Sequence, residues 1–187
     1  MGNRGILHNA DQCIVKRWTT KAWVACDPGF RGISRKPLFK PGSYSELFFL
    51  DEATAFAAGH RPCAYCQRDR FNAFKTAWAA RFHVDSDGPD RTIGRIDRAL
   101  HAERVARGVE KVTFSAMAES LPSGSMYAVD AEAFLIHRGS HWRWTFGGYE
   151  RASSVARGTA VSILTPRSIV ELFAAGFEPR VHHSADA

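Results

Sequence analysis

Cys63 and Cys66 stand in a C-x2-C, the spacing at which one tight turn can offer two thiolates to a tetrahedral zinc. Two ligands do not close a structural site, so further donors have to come from elsewhere in the chain. A second constellation lies on a stretch that reads as a helix. Asp97 and His101 are one helical turn apart and share a face, Arg104 follows on the same side, and Glu103 points elsewhere. A carboxylate-oriented imidazole beside an arginine suits a general base or the outer support of a metal, and a solvent-facing charge ladder uses the same residues. His101 and Asp97 are thus the candidate catalytic pair, with Glu103 a weaker candidate base. The third group is cationic: Arg31, Arg35 and Lys36 in a loop rich in breakers, with Arg61, Arg68 and Arg70 flanking the cysteines. These six are the candidate phosphate contacts, Arg being suited to bidentate phosphate recognition.

The elements that must position these groups can be read in outline. Cys13–Trp18 and Ala22–Cys26 are dense in β-formers and predict a hairpin or two short strands. Asp27–Ser43, with Pro28, Gly29, Gly32, Pro37, Pro41 and Gly42, is a loop. Leu47–Leu50 reads as a short strand, after which Asp51 is set to cap a helix through Ala58. Gly59 stops that helix and Pro62 prevents its resumption. The turn carrying both cysteines then leads into a helix on which Phe71, Phe74, Trp78 and Phe82 form one apolar stripe, a core signature. Cys66 sits just ahead of that helix, where the N-terminal dipole favours a thiolate. Asp85, Asp87 and Asp90 superficially resemble a calcium loop, but Ile96 falls where the bidentate Glu is required.

A helix is expected from about Arg91 to Arg107, closed by Gly108. From Lys111 the pattern turns to short strands: Met126–Val129, Ala133–His137, His141–Phe146 and Thr159–Leu164, with turns at Gly139-Ser140 and Gly147-Gly148. Trp142 and Trp144 are expected on opposite or adjacent faces, and His137, His141 and Trp144 as packing. Thr165 and Pro166 open a last helix, by N-cap and first-turn logic, that reaches Ala175. The tail from Arg180 to Ala187 is expected to fray.

Composition narrows the function classes. The 187 residues are 45% hydrophobic and 24% charged, near globular averages, and no apolar run approaches the length of a membrane helix. The N-terminus lacks the apolar core of a secretory signal, so the expected compartment is the cytoplasm, where four cysteines favour metal or redox chemistry over disulfides. A redox pair at Cys63 and Cys66 is opposed by Pro62 and by the absence of a thioredoxin-like βαβ pattern. Net charge is +6 and the isoelectric point about 9.4, which favours polyanionic partners.

The segment Phe48-Phe49, followed by Ala57-Ala58-Gly59-His60-Arg61-Pro62-Cys63-Ala64-Tyr65-Cys66, resembles the Ada-type zinc-binding domain. That domain forms the N-terminus of bacterial proteins repairing DNA methylphosphotriesters. Its strand with Phe-Phe, short helix and Gly-Phe-Arg-Pro-Cys-x-x-Cys turn match over about 25 residues. Thr19-Thr20-Lys21-Ala22-Trp23 ahead of Cys26 is similar to the Thr-Thr-Gly stretch leading to that family's first cysteines. The whole chain also resembles uncharacterised bacterial proteins with the same Gly-His-Arg-Pro-Cys core, described only as metal-binding. The resemblance implies zinc, with Cys26 joining Cys63 and Cys66. It does not bring the methyl-acceptor activity, because the upstream C-x3-C is missing and Cys13 lies too far from Cys26. Cys13, His8, His60, Asp27, His101 or water could complete the ligand set. A protein ligand would make the site a staple, water would leave it open to catalysis, and without metal the cysteines would be small buried residues.

The expectation is therefore an α+β protein: an Ada-like metal-binding element over residues 1–82, a loop and helix over 83–110, and a small antiparallel β-rich part with a final helix over 111–187, packed as one unit. Zinc is the expected cofactor and nucleic acid, DNA rather than RNA, the expected partner, with no membrane association. The alternatives are a metal-dependent hydrolase or nuclease using His101 at an open metal position, and a protein whose metal site has decayed. The sequence leaves the oligomeric state open.

Overall fold

The computed structural model of the chain describes residues 1–34, 36–83, 92–105 and 111–186. Its elements are β1 (Gly2–Asn3), β2 (Val24–Ala25), α1 (Glu52–Ala57), β3 (Arg61–Pro62), α2 (Arg68–Phe82), α3 (Thr92–Arg104), β4 (Phe114–Met117), β5 (Met126–Val129), β6 (Glu132–His137), β7 (Ser140–Thr145), β8 (Gly148–Ala152), β9 (Ala160–Ile163) and α4 (Arg167–Ala174). The class is α+β. A three-stranded sheet in the order β1-β2-β3 lies in the N-terminal half, and a six-stranded antiparallel sheet, β4-β9-β5-β6-β7-β8, in the C-terminal half.

In the small sheet β2 runs antiparallel to β1 and parallel to β3, with Val24 opposite Arg61 and Ala25 opposite Pro62. Of the expected hairpin or two short strands, only Val24–Ala25, within Ala22–Cys26, is a strand. Cys13–Trp18 contributes only a bridge from Ile14 to His8, and Leu47–Leu50 only a bridge from Leu47 to Gly2. The reason is packing: Ile14, Val15 and Phe48 are exposed, and β-formers with no apolar face to bury have little to hold them in a strand.

The helices follow their local signals closely. Asp51 Oδ1 accepts the Thr54 amide at 2.8 Å while Thr54 Oγ1 accepts the Asp51 amide at 3.0 Å, a reciprocal cap for α1. Gly59 leaves the helix at φ +81°. Along α2, Phe71, Phe74 and Trp78 are buried, and Phe82 packs at the margin. Phe74 and Trp78 meet Phe56 from α1, Ile96 and Leu100 from α3, and Ile169, Leu172 and Phe173 from α4. Each such side chain contributes roughly 1.5–3 kcal/mol on burial, so this cluster holds the three N-terminal helices together and to α4. Of the helix expected over 91–107, Thr92–Arg104 is present, while Arg91, residues 106–107 and Gly108 lie outside the described residues, as does the Asp85 loop.

The large sheet is built from tight hairpins whose turns sit one residue earlier than expected. Arg138 (φ +49°) and Gly139 (φ +74°) join β6 to β7, and Phe146 and Gly147 join β7 to β8. The left-handed pair at Arg138-Gly139 matches the twist of the flanking strands. Trp142 and Trp144 lie on one face, both in a cluster with Leu135 and Tyr149, which corrects the expectation of opposite or adjacent faces. Residues two apart in a strand point the same way, and the intervening Arg143 is the one turned outward to Glu132 and Glu150.

Two further expectations are revised. Thr165 does not cap α4: its hydroxyl accepts the Met126 amide at 2.9 Å, and Pro166 takes the N-cap position without a side-chain bond. The tail does not fray. His183–Asp186 forms a 3-10 turn, Ala185 is buried, and Ser184 Oγ accepts the Tyr149 amide at 2.8 Å. Among the described residues no helix is long and apolar enough to cross a membrane.

Candidate metal centre

The parallel pairing of β2 with β3 explains how distant cysteines meet. One step beyond the last registered pair, Ala25 and Pro62, lie Cys26 and Cys63. The Cys63 amide donates to Ala25 O at 2.9 Å, and Gln67 Nε2 donates to the same carbonyl, also at 2.9 Å. From the other side, the Cys26 amide and carbonyl both bond to Met1, which ties the first residue to the site. Cys63 O accepts the Gln67 amide at 3.1 Å, closing the turn that brings Cys66 back beneath Cys63.

The three sulfurs of Cys26, Cys63 and Cys66 all lie within 4.8 Å of one another. Thiolates around a tetrahedral zinc sit about 3.8 Å apart, as a Zn–S distance of about 2.3 Å requires, so small side-chain rotations suffice. All three are half-buried and none is in a disulfide. The Asp27 amide donates to Cys66 Sγ at 3.2 Å, the kind of outer bond that stabilises a ligating sulfur.

The cluster also sorts its protons. Cys63 is lowered to about 4, chiefly because the Cys26 thiol donates to it, with help from the amides of Cys66 and Tyr65. Cys26 is pushed far up by that same shared proton and by burial, and burial also raises Cys66. Free of metal, the trio is one thiolate held by two thiols. Such a donor set is soft and pre-charged, which fits zinc or another thiophilic ion.

The candidates for a fourth ligand separate clearly. Cys13 is exposed and its thiol reaches back to Asp11 O, His8 is bonded to Ser45 Oγ at 2.6 Å, and His60 is buried between Trp23 and Phe49. None belongs to the three-sulfur group. Asp27 adjoins it in sequence, with Oδ1 accepting the Gly29 amide at 2.8 Å. Cys26, Asp27 and Cys66 border a cleft of about 930 Å³ whose other walls include Arg68, Asp51 and His183. Among the described residues, Asp27 or a molecule in that cleft could complete a ligand set around a metal held by the three sulfurs.

The candidate catalytic pair is not assembled. Asp97 gives both carboxylate oxygens to Arg61, at 2.8 Å each, rather than orienting His101. His101 stands edge-on to Trp18 with ring centroids 4.5 Å apart, and its buried Nδ1 has no hydrogen-bond partner. Burial and the charges of Arg104 and Lys21 lower its pKa. Helical spacing correctly placed Asp97 and His101 on one helix but could not show that an arginine from β3 would capture the carboxylate. Glu103, the weaker candidate base, accepts the Ser168 amide and hydroxyl and so links α3 to α4.

The phosphate candidates divide in the same way. Arg61 is buried by its pair with Asp97, and Arg70 is held by Glu52 and Glu178 O over the Phe177 ring. Neither is free to meet a phosphate, because both guanidinium groups are already neutralised within the fold. Arg31, Lys36 and Arg68 are exposed, and Arg31 Nη1 donates to Tyr65 Oη, within the cysteine turn, at 3.3 Å. Arg35 lies outside the described residues.

Sequence reading missed a set of cations on the opposite end of α1: Arg4, Arg104 and Lys111, which donate to the carbonyls of Ala58, Gly59 and Ala57. No spacing rule links Arg4 to the far stretch that carries Arg104 and Lys111, closed by a bridge between Val105 and Lys111, and only the Gly59 helix stop marks where their carbonyl acceptors lie. Comparisons with protein-family models, with curated proteins and with solved structures each find no match to this chain.

Proposed function

We propose that the chain is a zinc-binding protein that docks on nucleic acid, DNA rather than RNA, through the basic surface around its metal turn. The observation that carries the reading is the convergence of Cys26, Cys63 and Cys66 from two separate segments into one three-sulfur group. Bound there, zinc would supply a cross-link between β2 and the turn after β3, fixing the loops on either side. The loop after β2 carries the exposed cations Arg31 and Lys36, α2 opens with the exposed Arg68, and the chain's net charge is +6. Positive side chains on a pinned surface suit phosphate contacts, whose strength falls with salt through counterion release. The resemblance of the cysteine turn to the Ada-type domain supports DNA as the partner.

The test has two readings. Untagged protein purified without chelator is expected to hold about one zinc per chain, and Cys63→Ser to lose the metal together with thermal stability. Affinity for a DNA duplex, followed by fluorescence anisotropy, is expected to fall with salt at about 0.9 logarithmic units per phosphate neutralised. Joint substitution of Arg31, Lys36 and Arg68 by Glu should lower both affinity and slope while leaving the metal in place. Zinc without any DNA binding at low salt would reject the nucleic-acid half. Absence of metal from the wild type would reject the whole reading.

A further inference from the structure

Away from the cysteines, a pocket of about 390 Å³ has a wall in which, among the described residues, positive charge is left without a carboxylate. Arg4, Arg104 and Lys111 contribute from three segments, and Lys16 and Arg17 stand exposed at its edge. Trp23 forms the floor, with the Arg4 guanidinium 3.8 Å and the Arg104 guanidinium 4.1 Å from its ring. Ile14 and Trp18 supply an apolar side.

The charge is only partly accounted for. Arg4 donates to His60 Nε2 and Ala58 O, Arg104 to the carbonyls of Gly59 and Lys21, and Lys111 to Ala57 O. These partners are neutral, mostly carbonyls at the end of α1, whose helix dipole offsets a fraction of a charge. The carboxylate that acts on Arg104, Asp97, is already neutralised by Arg61. Arg104 is 3% exposed, and its Nε is buried without a hydrogen-bond partner. Crowding shows in the titration as well: burial lowers Arg104 to about 9 and Arg4 to about 10, and burial of the Lys111 ammonium, with repulsion from both arginines, lowers it to about 8. Cations gathered with no partner of opposite charge are costly, and an anion entering the pocket removes that cost.

We infer that this pocket binds an organic phosphate, its phosphate against the cations at the end of α1 and its flat apolar body against Trp18 and Ile14. The tryptophan and isoleucine side offers nothing to a bare ion, whereas an aromatic ring gains stacking there. The volume suits a nucleoside monophosphate, either free or as the 5′-phosphorylated end of a strand.

The probes are inorganic phosphate, adenosine 5′-monophosphate and a short 5′-phosphorylated single-stranded oligonucleotide, titrated by calorimetry with tryptophan fluorescence alongside. The nucleotide is expected to quench fluorescence and to bind about 5- to 150-fold tighter than inorganic phosphate, the gain from one stacked ring. Binding of the free nucleotide identifies a small-molecule site, and binding of the oligonucleotide alone identifies a strand end. Either supports the inference. Lys16→Glu with Arg17→Glu, at exposed positions, and Lys111→Met should each weaken binding about tenfold with folding verified by circular dichroism. Arg31→Glu with Arg68→Glu should leave it unchanged, which separates this pocket from the surface around the cysteines. No binding of either nucleotide probe, equal affinity for inorganic phosphate and nucleotide, or affinity insensitive to the Lys16 and Arg17 reversal would overturn it.

Discussion

Cys63 carries a negative charge that its two neighbours stabilise, and this sets how the site must respond to pH. Its pKa is held at about 4, so it is ionised throughout the neutral range, while Cys26 and Cys66 are raised and keep their protons. A metal that takes all three as thiolates must expel two protons. Affinity therefore rises with pH, by about 100-fold for each unit in the neutral range. Chelator competition at two pH values checks this, and a pH-independent affinity would mean that the three sulfurs do not share one metal. The pair Cys63 and Cys66 was legible because its chemistry needs only a short spacing. Cys26 came from a resemblance alone, and the sequence could not display the β2–β3 register that brings it in.

At the scale of elements, the salt bridge between Arg61 on β3 and Asp97 on α3 has a structural role where catalysis was expected. Both residues are buried, and the pairing is bidentate. Removing one partner leaves the other charge in a site that water does not reach, so Asp97→Ala should lower stability by about 3–5 kcal/mol. Arg61→Met combined with Asp97→Leu should recover much of that loss, because an apolar pair of similar volume needs no compensating charge. Urea melts of the single and double variants decide the point, and a double variant no more stable than Asp97→Ala would contradict it. The helices were legible from the Asp51 cap, the Gly59 stop and the aromatic stripe of α2, each a local signal. The two-residue strands β1, β2 and β3 were not, since so short a strand has no alternation to read. Thr165 misled for a related reason: a hydroxyl before a helix is a cap unless a strand amide, here that of Met126, reaches it first.

Across the whole molecule the two halves share the helical cluster that includes α4, and a polar link is added at the N-terminus of α1, where adjacent carboxylates hold several distant groups. Asp51 Oδ1 caps the helix, and Oδ2 accepts the Tyr149 hydroxyl at 2.9 Å and the His182 amide at 3.0 Å. Glu52 accepts Arg70 and the Arg180 amide. The tail thus lies against α1 on one side and β8 on the other, with Ala185 and Val181 in the same apolar cluster as Ala53, Ala57 and Trp142. A tail fixed in this way is part of the fold, and its order depends on acceptors that the sequence places far away. Asp51→Ala removes the cap, worth about 1 kcal/mol, and also strands the buried Tyr149 hydroxyl, worth about 1–3 kcal/mol. The expected loss is therefore about 2–4 kcal/mol. Tyr149→Phe should cost less, because it takes away the donor and leaves Asp51 its backbone partners. In the Tyr149→Phe background, Asp51→Ala should cost less than in the wild type, the difference being the coupling between helix and sheet. Additive losses would show that the Asp51–Tyr149 contact does not couple helix to sheet. Zinc content should stay unchanged in all of these variants, since the three sulfurs are positioned by β2, β3 and the turn before α2 rather than by the tail.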